Sequence, residues 1–376
     1  MKKFFLYFLV PLLAMFFLSE AFLRRKPEVQ SSVQERRIHC MDDSGLIFLC
    51  KDQSKKLSSP RAGQWLLTTN RYGERITHPL EMLPDSPLSE SNPTVKEVWV
   101  IGDSISMGYL LSDPFSPPYQ LSQLTGIRTR NLGVDSLGTM GIWIRLKNAL
   151  EYRAIIPEHI FWIYNVSDYQ DDFREAKLLN NPLYRIAYRI HFNLAKASYL
   201  YALTRMEPQI TIASGDQILP TGELNDSKAD SSDRVSQKST EELQEIDEDP
   251  DSTEKDRIPD DHPTLRHLRE FAAYVKAREL PLTVIFYPGM LPSGKPDLVD
   301  PLRKRSMSLL REEGIDVLDL SDVFISNDQM YIPGNGHPTE KAASMFASAM
   351  AGKLASRYPG TFDKNRMLKT LYLRNL

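Results

Sequence analysis

The sequence predicts an α/β fold in which a five-stranded parallel sheet is covered by helices on both faces. Five short candidate strands recur along the chain, segments with helical spacing lie between most of them, and polar or glycine-containing turns follow several of the strands. Alternating strands and helices are typical of parallel sheets, because a crossover must return the chain to the start of the next strand. Such sheets bind ligands at the carboxyl ends of their strands, which is where these turns are expected.

The first predicted strand is a short apolar run rich in β-branched and aromatic residues, as expected for a strand buried on both faces, and four further candidate strands follow. They cover residues 98–101, 128–132, 159–165, 282–287 and 316–320. The predicted helices cover residues 140–152, 173–201, 265–277, 298–313 and 340–358. Residues 66–75 are typical of one further strand and a turn, and a proline-rich connection follows over residues 79–95.

Length and charge limit the possible classes of function. The chain has 376 residues and a net charge of −3, so no strong overall field favours nucleic acid, and no nucleic-acid partner is expected. The domain organisation that we predict is a leader at 1–26, a stalk and cap at 27–95, and one α/β domain in two parts, 96–211 and 262–376. A flexible acidic insertion, 212–261, separates the two parts.

The amino-terminal segment is typical of an export signal. Two lysines precede an apolar run over residues 4–18, and the cluster Arg24-Arg25-Lys26 ends the segment. We favour an uncleaved anchor that enters the membrane through residues 4–23, whereas Ser19-x-Ala21 leaves a cleaved signal peptide open. Basic residues on both flanks leave the orientation open. The rest of the chain is expected outside the cytoplasm, in the periplasm or at the cell surface.

The two cysteines, Cys40 and Cys50, lie ten residues apart just beyond this segment. An exported chain could close them into a small disulfide loop, or they could be two unrelated thiols. In the predicted insertion, residues 223–261 contain 15 acidic and 5 basic residues. A stretch of this composition cannot bury enough apolar surface to order itself.

Catalytic chemistry is indicated by a serine and a distant histidine. The first strand stops at Gly102-Asp103-Ser104, and His337 lies in a loop just before the last helix. A serine nucleophile needs a base to take its proton, and histidine is suited to that task near neutral pH. The tetrahedral intermediate also needs hydrogen-bond donors for its oxyanion. Backbone N–H groups of Ser104 and of the turn after the second strand, with an asparagine side chain, could supply them.

Together these motifs resemble the SGNH, or GDSL-type, hydrolases over residues 66–358 without the insertion. The resemblance rests on the strand into Gly-Asp-Ser, the turn Asn131-Leu-Gly-Val, the polar turn Asn165-Val-Ser-Asp and the late His337. The apolar leader and the motif Thr-Asn-x-x-Gly-x-Arg at 69–75 look like membrane-anchored bacterial members. The resemblance implies a three-layer α/β/α flavodoxin-like fold and ester hydrolysis or acyl transfer, often on carbohydrate O-acyl groups, without a cofactor or metal.

The resemblance also implies roles for individual residues. Ser104 matches the nucleophile and His337 matches the base. The oxyanion glycine of the second block falls at Ser136, and Gly133 in the same turn is a further candidate donor. In the third block Ser167 lies where the oxyanion asparagine belongs, so Asn165 could reach the oxyanion hole from two residues earlier, or Ser167 could donate instead.

The acid of the last block is also replaced. It usually lies two or three residues before the histidine, where this chain has Asn335 and Gly334. In trypsin-like enzymes a change of the triad Asp to Asn lowers turnover by about 10⁴-fold through the wrong histidine tautomer. Another acid, such as Asp328, could replace it in space, or the site could act as a Ser-His dyad.

Two functional hypotheses follow from these motifs. The first is an exported, membrane-tethered serine esterase or acyltransferase that acts on acyl esters, in particular acetyl esters, of a cell-envelope or surface glycan. The second is a catalytically decayed module of the same fold that binds a glycan or an envelope partner. A cytoplasmic nucleotide-binding protein is disfavoured, because the chain lacks a phosphate loop of the GxxxxGK[ST] type.

Overall fold

The computed structural model describes residues 5–59, 61–79, 97–165, 168–204, 258 and 262–359. Its strands are β1 (His39–Met41), β2 (Ile47–Leu49), β3 (Ser54–Ser59), β4 (Gly63–Thr68), β5 (Glu97–Gly102), β6 (Arg128–Asn131), β7 (His159–Tyr164), β8 (Leu282–Phe286), β9 (Gly289–Met290), β10 (Pro296–Asp297) and β11 (Asp316–Asp319). Residues 27–59, expected to form a stalk or small cap, thus contain ordered hairpins.

Helices connect and cover these strands. They are α1 (Val10–Leu23), which follows a π-helical turn at Phe5–Leu9, α2 (Pro27–Arg37), α3 (Ser104–Met107), α4 (Pro117–Thr125), α5 (Thr139–Arg153), α6 (Asp168–Asn180), α7 (Pro182–Ala197), α8 (Tyr199–Thr204), α9 (Pro263–Ala277), α10 (Pro301–Glu312), α11 (Ser321–Ile325) and α12 (Glu340–Arg357); a 3₁₀ turn covers Asp113–Phe115.

The central sheet has the strand order β11-β8-β7-β5-β6, and all its neighbouring pairs are parallel. Numbered along the chain within this sheet, the order is 2-1-3-4-5, which is the flavodoxin-like order. The predicted α/β class and five-stranded parallel sheet are therefore confirmed. The order reverses at β5, so the crevice beyond the carboxyl end of β5 is the expected place for a binding site.

Two apolar layers hold helices against the sheet. Side chains alternate along a strand, so Trp99 and Ile101 pack into one core with α5, α9 and α10, whereas Val98 and Val100 pack into the other with α4 and α12. All four side chains are at most 1% exposed. Burial on both faces explains the apolar runs within β5, β7 and β8, whereas the buried strand β6 is polar and its Arg128 and Arg130 pair with Glu97.

The segment predicted as one helix over residues 173–201 forms three helices, α6, α7 and α8. Pro182 cannot continue α6 because it lacks an N–H group, and Asn181 caps α7 by accepting a hydrogen bond from Tyr184 N–H at 3.0 Å. Ser198 separates α7 from α8. The helical pattern was therefore read correctly, but its two breaks were missed.

The amino-terminal cap consists of α2 and the hairpins β1-β2 and β3-β4. Cys40 and Cys50 form a disulfide across the first hairpin region, with their Cα atoms 5.0 Å apart. Among the described residues, none of the helices is both long enough and apolar enough to cross a membrane. The predicted acidic insertion, 212–261, lies outside the described residues except for Ile258, which packs against the core.

Candidate active site

Ser104 lies at the carboxyl end of β5, in the first turn of the short helix α3. Gly102 allows the chain to turn here: its φ is +138°, and a Cβ atom would come within 2.2 Å of Ser106 Oγ and 2.7 Å of the Ile163 carbonyl oxygen. Asp103 caps α3 by accepting a hydrogen bond from Ile105 N–H at 2.9 Å. The turn predicted from Gly-Asp-Ser therefore fixes the serine through its two preceding residues.

His337 reaches the same edge of the sheet on a loop closed by short-range hydrogen bonds. Ile332 N–H donates to the His337 carbonyl at 2.7 Å, and Asn335 N–H donates back to the Ile332 carbonyl at 3.0 Å. Thr339 then begins α12 as its N-cap, accepting from Ala342 N–H at 3.3 Å. Hydrogen bonds therefore fix the loop before His337, and the helix N-cap fixes it after His337.

The side chains of Ser104, His337 and Asn335 form a hydrogen-bonded triad. Ser104 Oγ lies 3.0 Å from His337 Nε2. His337 Nδ1 is hydrogen-bonded to Asn335 Oδ1. An oxygen can only accept, so this contact places the proton of the neutral ring on Nδ1 and leaves Nε2 free to accept the serine proton. The replacement of the usual acid by asparagine thus preserves the tautomer that a general base requires.

Asp328 does not take the place of the missing acid. Its side chain is exposed, and the hydrogen bond that it makes runs from Lys341 Nζ to its backbone carbonyl. The Nδ1 position of His337 is occupied by Asn335 instead. The proposal of Asp328 as triad acid was therefore wrong, because the tight loop brings Asn335 to the ring and leaves Asp328 in solvent.

Burial keeps His337 neutral. Desolvation lowers the pKa of His337 to about 4, although the charge of Asp135 opposes the shift. The imidazole is therefore unprotonated near neutral pH and able to accept a proton. Beside it, burial raises the pKa of Asp103 to about 6, while hydrogen bonds from Ile105 N–H and Asn165 lower it. Ser104 Oγ also lies 3.3 Å from Asp103 Oδ2, a longer contact that competes with His337 Nε2 for the single hydrogen of the hydroxyl.

Two backbone N–H groups remain available as oxyanion donors. Within the described residues, neither Ser104 N–H nor Ser136 N–H donates a hydrogen bond to another group. Ser136 has a φ of +59°, in the left-handed region that favours glycine. This backbone agrees with the alignment, which places Ser136 where the resemblance implies a glycine. Its carbonyl is held by Arg174.

The other predicted oxyanion donors have different contacts. Gly133 N–H donates to Asn131 Oδ1 at 3.0 Å, so it is not available to an oxyanion. Glycine is required at this position because a Cβ atom would lie 2.3 Å from Met107 N. Asn165 Nδ2 donates to Asp103 Oδ2 at 3.0 Å, so this amide lies beside the turn that carries Ser104. Ser167 lies outside the described residues.

Four side chains that the sequence did not single out surround the triad. Tyr109 lies against His337, with ring centroids 4.9 Å apart, and hydrogen-bonds to Glu35. Asp135 pairs with His39 from the cap. Burial raises the pKa of Glu35 to about 7. Burial would also raise the pKa of Asp135, but the neighbouring His39 lowers it below its usual value. Only tertiary structure brings these residues together, since Glu35 and His39 belong to the cap.

A cavity of about 280 Å³ lies between the cap, the segments that follow α3 and β6, and helix α7. Tyr109 links its wall to His337. Its lining combines acidic, hydroxyl, imidazole and aromatic side chains, including Glu35, His39, Tyr109, Asp135, Ser136 and Tyr188. A mixed polar and aromatic lining is suited to a polar ligand that also presents apolar faces.

The motif at residues 69–75 contacts the helix that carries Ser104 through Arg75. This buried guanidinium donates to Asp113 Oδ1 at 2.8 Å and to the carbonyls of Met107 and Gly108, at the end of α3, at 3.0 and 2.6 Å. It also donates to the Leu66 carbonyl at 2.9 Å. Arg75 therefore ties the cap to the helix that carries Ser104. The sequence showed the motif, but not this contact.

The described residues contain no group of three or more His, Cys, Asp or Glu side chains that could hold a metal ion. No family model matches the sequence. No curated protein matches it either.

Solved structures similar to this chain include members of the lipolytic G-D-S-L family and esterases. One is a member of the lipolytic protein G-D-S-L family from Veillonella parvula DSM 2008, with 13% identity, a TM-score of 0.36, and 71% of this chain and 100% of that chain covered. Another is a catalytic mutant of an acetylxylan esterase from Geobacillus stearothermophilus, with 13% identity, a TM-score of 0.34, and 73% and 100% covered. The fold and the placement of the serine and histidine in this chain are those that the SGNH resemblance implies.

Proposed function

We propose that this chain is a serine esterase or acyltransferase of the SGNH type. The observation that carries the proposal is the triad, in which Ser104 Oγ lies 3.0 Å from His337 Nε2 and His337 Nδ1 is held by Asn335 Oδ1. It lies at the carboxyl edge of the sheet, at the strand where the order reverses.

The chemistry follows from this geometry. Ser104 Oγ attacks the acyl carbon while His337 Nε2 takes the serine proton, and the carbonyl oxygen becomes an oxyanion near the N–H groups of Ser104 and Ser136. His337 then returns the proton to the leaving alkoxide, which departs as an alcohol and leaves an acyl-serine. His337 then takes the proton of a water or an acceptor hydroxyl, whose oxygen attacks the acyl carbon. The bond from the acyl carbon to Ser104 Oγ breaks, His337 returns the proton to Ser104, and the acyl group leaves as an acid or as a new ester.

Reactive labelling tests the nucleophile. The full chain is treated with a fluorescent fluorophosphonate, alongside Ser104→Ala, His337→Ala and the matched control Ser308→Ala, which removes an exposed serine on α10. We expect labelling of the wild type and the control, and none of the first two variants. A folded wild type that is not labelled would favour the alternative, a decayed module that binds a glycan or an envelope partner.

For the substrate, we propose acyl esters, acetyl esters in particular, of a cell-envelope or surface glycan. The cavity beside the triad supports this, since Tyr109 and Tyr188 offer rings for the apolar faces of sugars, and Glu35 and Asp135 offer acceptors for hydroxyl groups. Tyr188→Ala should raise KM for acetylated oligosaccharides and leave hydrolysis of a small aryl acetate unchanged. Phe173→Ala, an exposed ring on α6, is the control. Equal losses on both substrates would contradict a glycan subsite.

We further propose that the chain is exported and tethered to a membrane by its amino-terminal segment. The Cys40–Cys50 disulfide supports export, because structural disulfides persist in oxidising compartments. Exposed apolar side chains along α1 support the tether. Membrane fractionation of cells that express the full chain, with protease added from outside, tests both. Recovery in the soluble cytoplasmic fraction would refute both.

A further inference from the structure

Helix α7 carries an apolar stripe on its outer face. Leu183, Ile186, Ile190 and Leu194 are 78%, 57%, 56% and 43% exposed. They recur at intervals of three and four residues, so they lie on one side of the helix. The only exposed polar residue of α7 is Asn193.

The inner face of α7 is polar and contacts the protein. Arg189 donates to the Asp42 carbonyl at 2.8 Å, and Lys196 donates to the His39 carbonyl. Arg185 is held in the same way by carbonyls at the end of α6. A surface helix in water normally buries its apolar face and exposes its charges. The reversed polarity of α7 indicates that something apolar covers its outer stripe.

Helix α1 continues this apolar surface. Its exposed apolar side chains are Val10, Leu12, Leu13, Met15, Phe16, Phe17, Leu18 and Phe22. The carboxylate of Glu20 accepts hydrogen bonds from Tyr199 N–H at 2.9 Å and Leu200 N–H at 3.1 Å, at the start of α8. Since α8 follows α7 after one residue, Glu20 joins the two apolar surfaces into one corner of the molecule.

Basic side chains surround this corner. Arg24, Arg25 and Lys26 are exposed at the end of α1, and Arg37 is exposed at the end of α2. The guanidinium groups of Arg24 and Arg37 lie over the ring of Tyr199, at 5.5 and 5.7 Å from its centroid. Basic and aromatic residues next to an apolar surface complement the anionic headgroups and the interface of a bilayer, whereas a protein partner would not require such a cluster.

We infer that the outer stripe of α7 lies in the interfacial region of an anionic lipid bilayer, beside α1. The bilayer contact rests on the polarity of α7, its junction with α1 and the basic cluster. Because the inner face of α7 contributes Tyr188, His191 and Phe192 to the cavity, the contact would hold that cavity next to the membrane surface. This orientation of the active site rests on the proposed function; the lipid contact does not.

A fluorescent probe on the stripe tests the inference. The two native cysteines are joined in a disulfide, so Ile190→Cys offers the full chain a single thiol for an NBD label. The control is Ile156→Cys, which replaces an equally apolar residue, 73% exposed, beyond the end of α5. With vesicles of phosphatidylcholine and phosphatidylglycerol, we expect the emission of the Ile190 probe to shift to shorter wavelength and to be quenched by acyl-chain nitroxides. The Ile156 probe should do neither.

Three results would overturn the inference. The Ile190 probe could stay aqueous while the chain floats with the vesicles, the chain could fail to float with them, or the probe could be shifted before vesicles are added. The last result, if it depends on protein concentration, would identify a second copy of the chain as the cover. Hydrolysis of a soluble aryl ester by each labelled variant is measured separately. Absence of hydrolysis in the wild type would refute the proposed function and leave the probe result standing.

Discussion

Replacing Asn335 by aspartate tests the triad most directly. Asn335→Asp keeps the shape of the side chain and places a carboxylate oxygen where Oδ1 now contacts His337 Nδ1. An opposite charge at this range raises the pKa of a histidine by roughly 1–3 units. The pKa of His337, lowered by burial to about 4, should therefore rise to roughly 5–7.

The same charge should accelerate the chemical step. His337 becomes an imidazolium in the transition state, and each pKa unit corresponds to about 1.4 kcal/mol in favour of that charged form. We therefore expect kcat to rise by roughly 10- to 1000-fold at pH 8. The acid limb of kcat/KM should move upward with the pKa, because a protonated His337 cannot accept the serine proton. Activity at pH 5 should consequently gain less than activity at pH 8.

Hydrolysis of an aryl acetate, followed from about pH 3 to about pH 9 and corrected for the rate without enzyme, measures both effects. Asp328→Asn is the control, because Asp328 is exposed and makes no contact with His337. An acid limb that stays near pH 4 in Asn335→Asp would refute the coupling. A gain of about 10⁴-fold or more would mean that the amide NH₂ of Asn335 faces the wild-type ring, with the wrong tautomer.

Three further predictions concern the surroundings of the triad. Arg75→Met should lower the free energy of unfolding by roughly 3–5 kcal/mol, because it leaves Asp113 buried without its cation; an unchanged urea midpoint would contradict this. Replacing Cys40 and Cys50 with serine should cost about 3 kcal/mol through loop-closure entropy, as calorimetry under non-reducing conditions can show; equal stability would refute it. Asp135→Asn should move the acid limb below pH 4 and lower kcat by roughly 3- to 10-fold, because the imidazolium loses a favourable charge; a faster variant would argue against that role.

The sequence was informative about the central sheet for a physical reason. A strand buried on both faces is mostly apolar, so the runs at residues 98–101 and 160–164 were distinct from their polar surroundings. The Gly-Asp-Ser turn was equally clear, since Gly102 allows a close approach that no other residue permits. Local signals of this kind do not require knowledge of distant parts of the chain.

The details of the site depended on contacts that are remote in sequence. Asn335 and Asp328 were both candidates for the partner of His337, and only the folded loop distinguished them. Gly133 and Asn165 were candidate donors whose hydrogen-bonding groups contact other residues in the structure. Short motifs name the residue types of a site, but the fold decides which atoms face one another.

The sequence by itself determined the fold class and marked Ser104 and His337 as the candidate nucleophile and base, because each has local spacing beside a strand or a helix. Tertiary structure alone decided that Asn335 contacts His337 and that Arg75 contacts the helix that carries Ser104. It also decided that the cap brings Glu35 to the wall beside the triad. These contacts mostly join residues that are far apart in the chain. The free energy of each contact depends on packing, burial and distance, which a local sequence pattern does not determine.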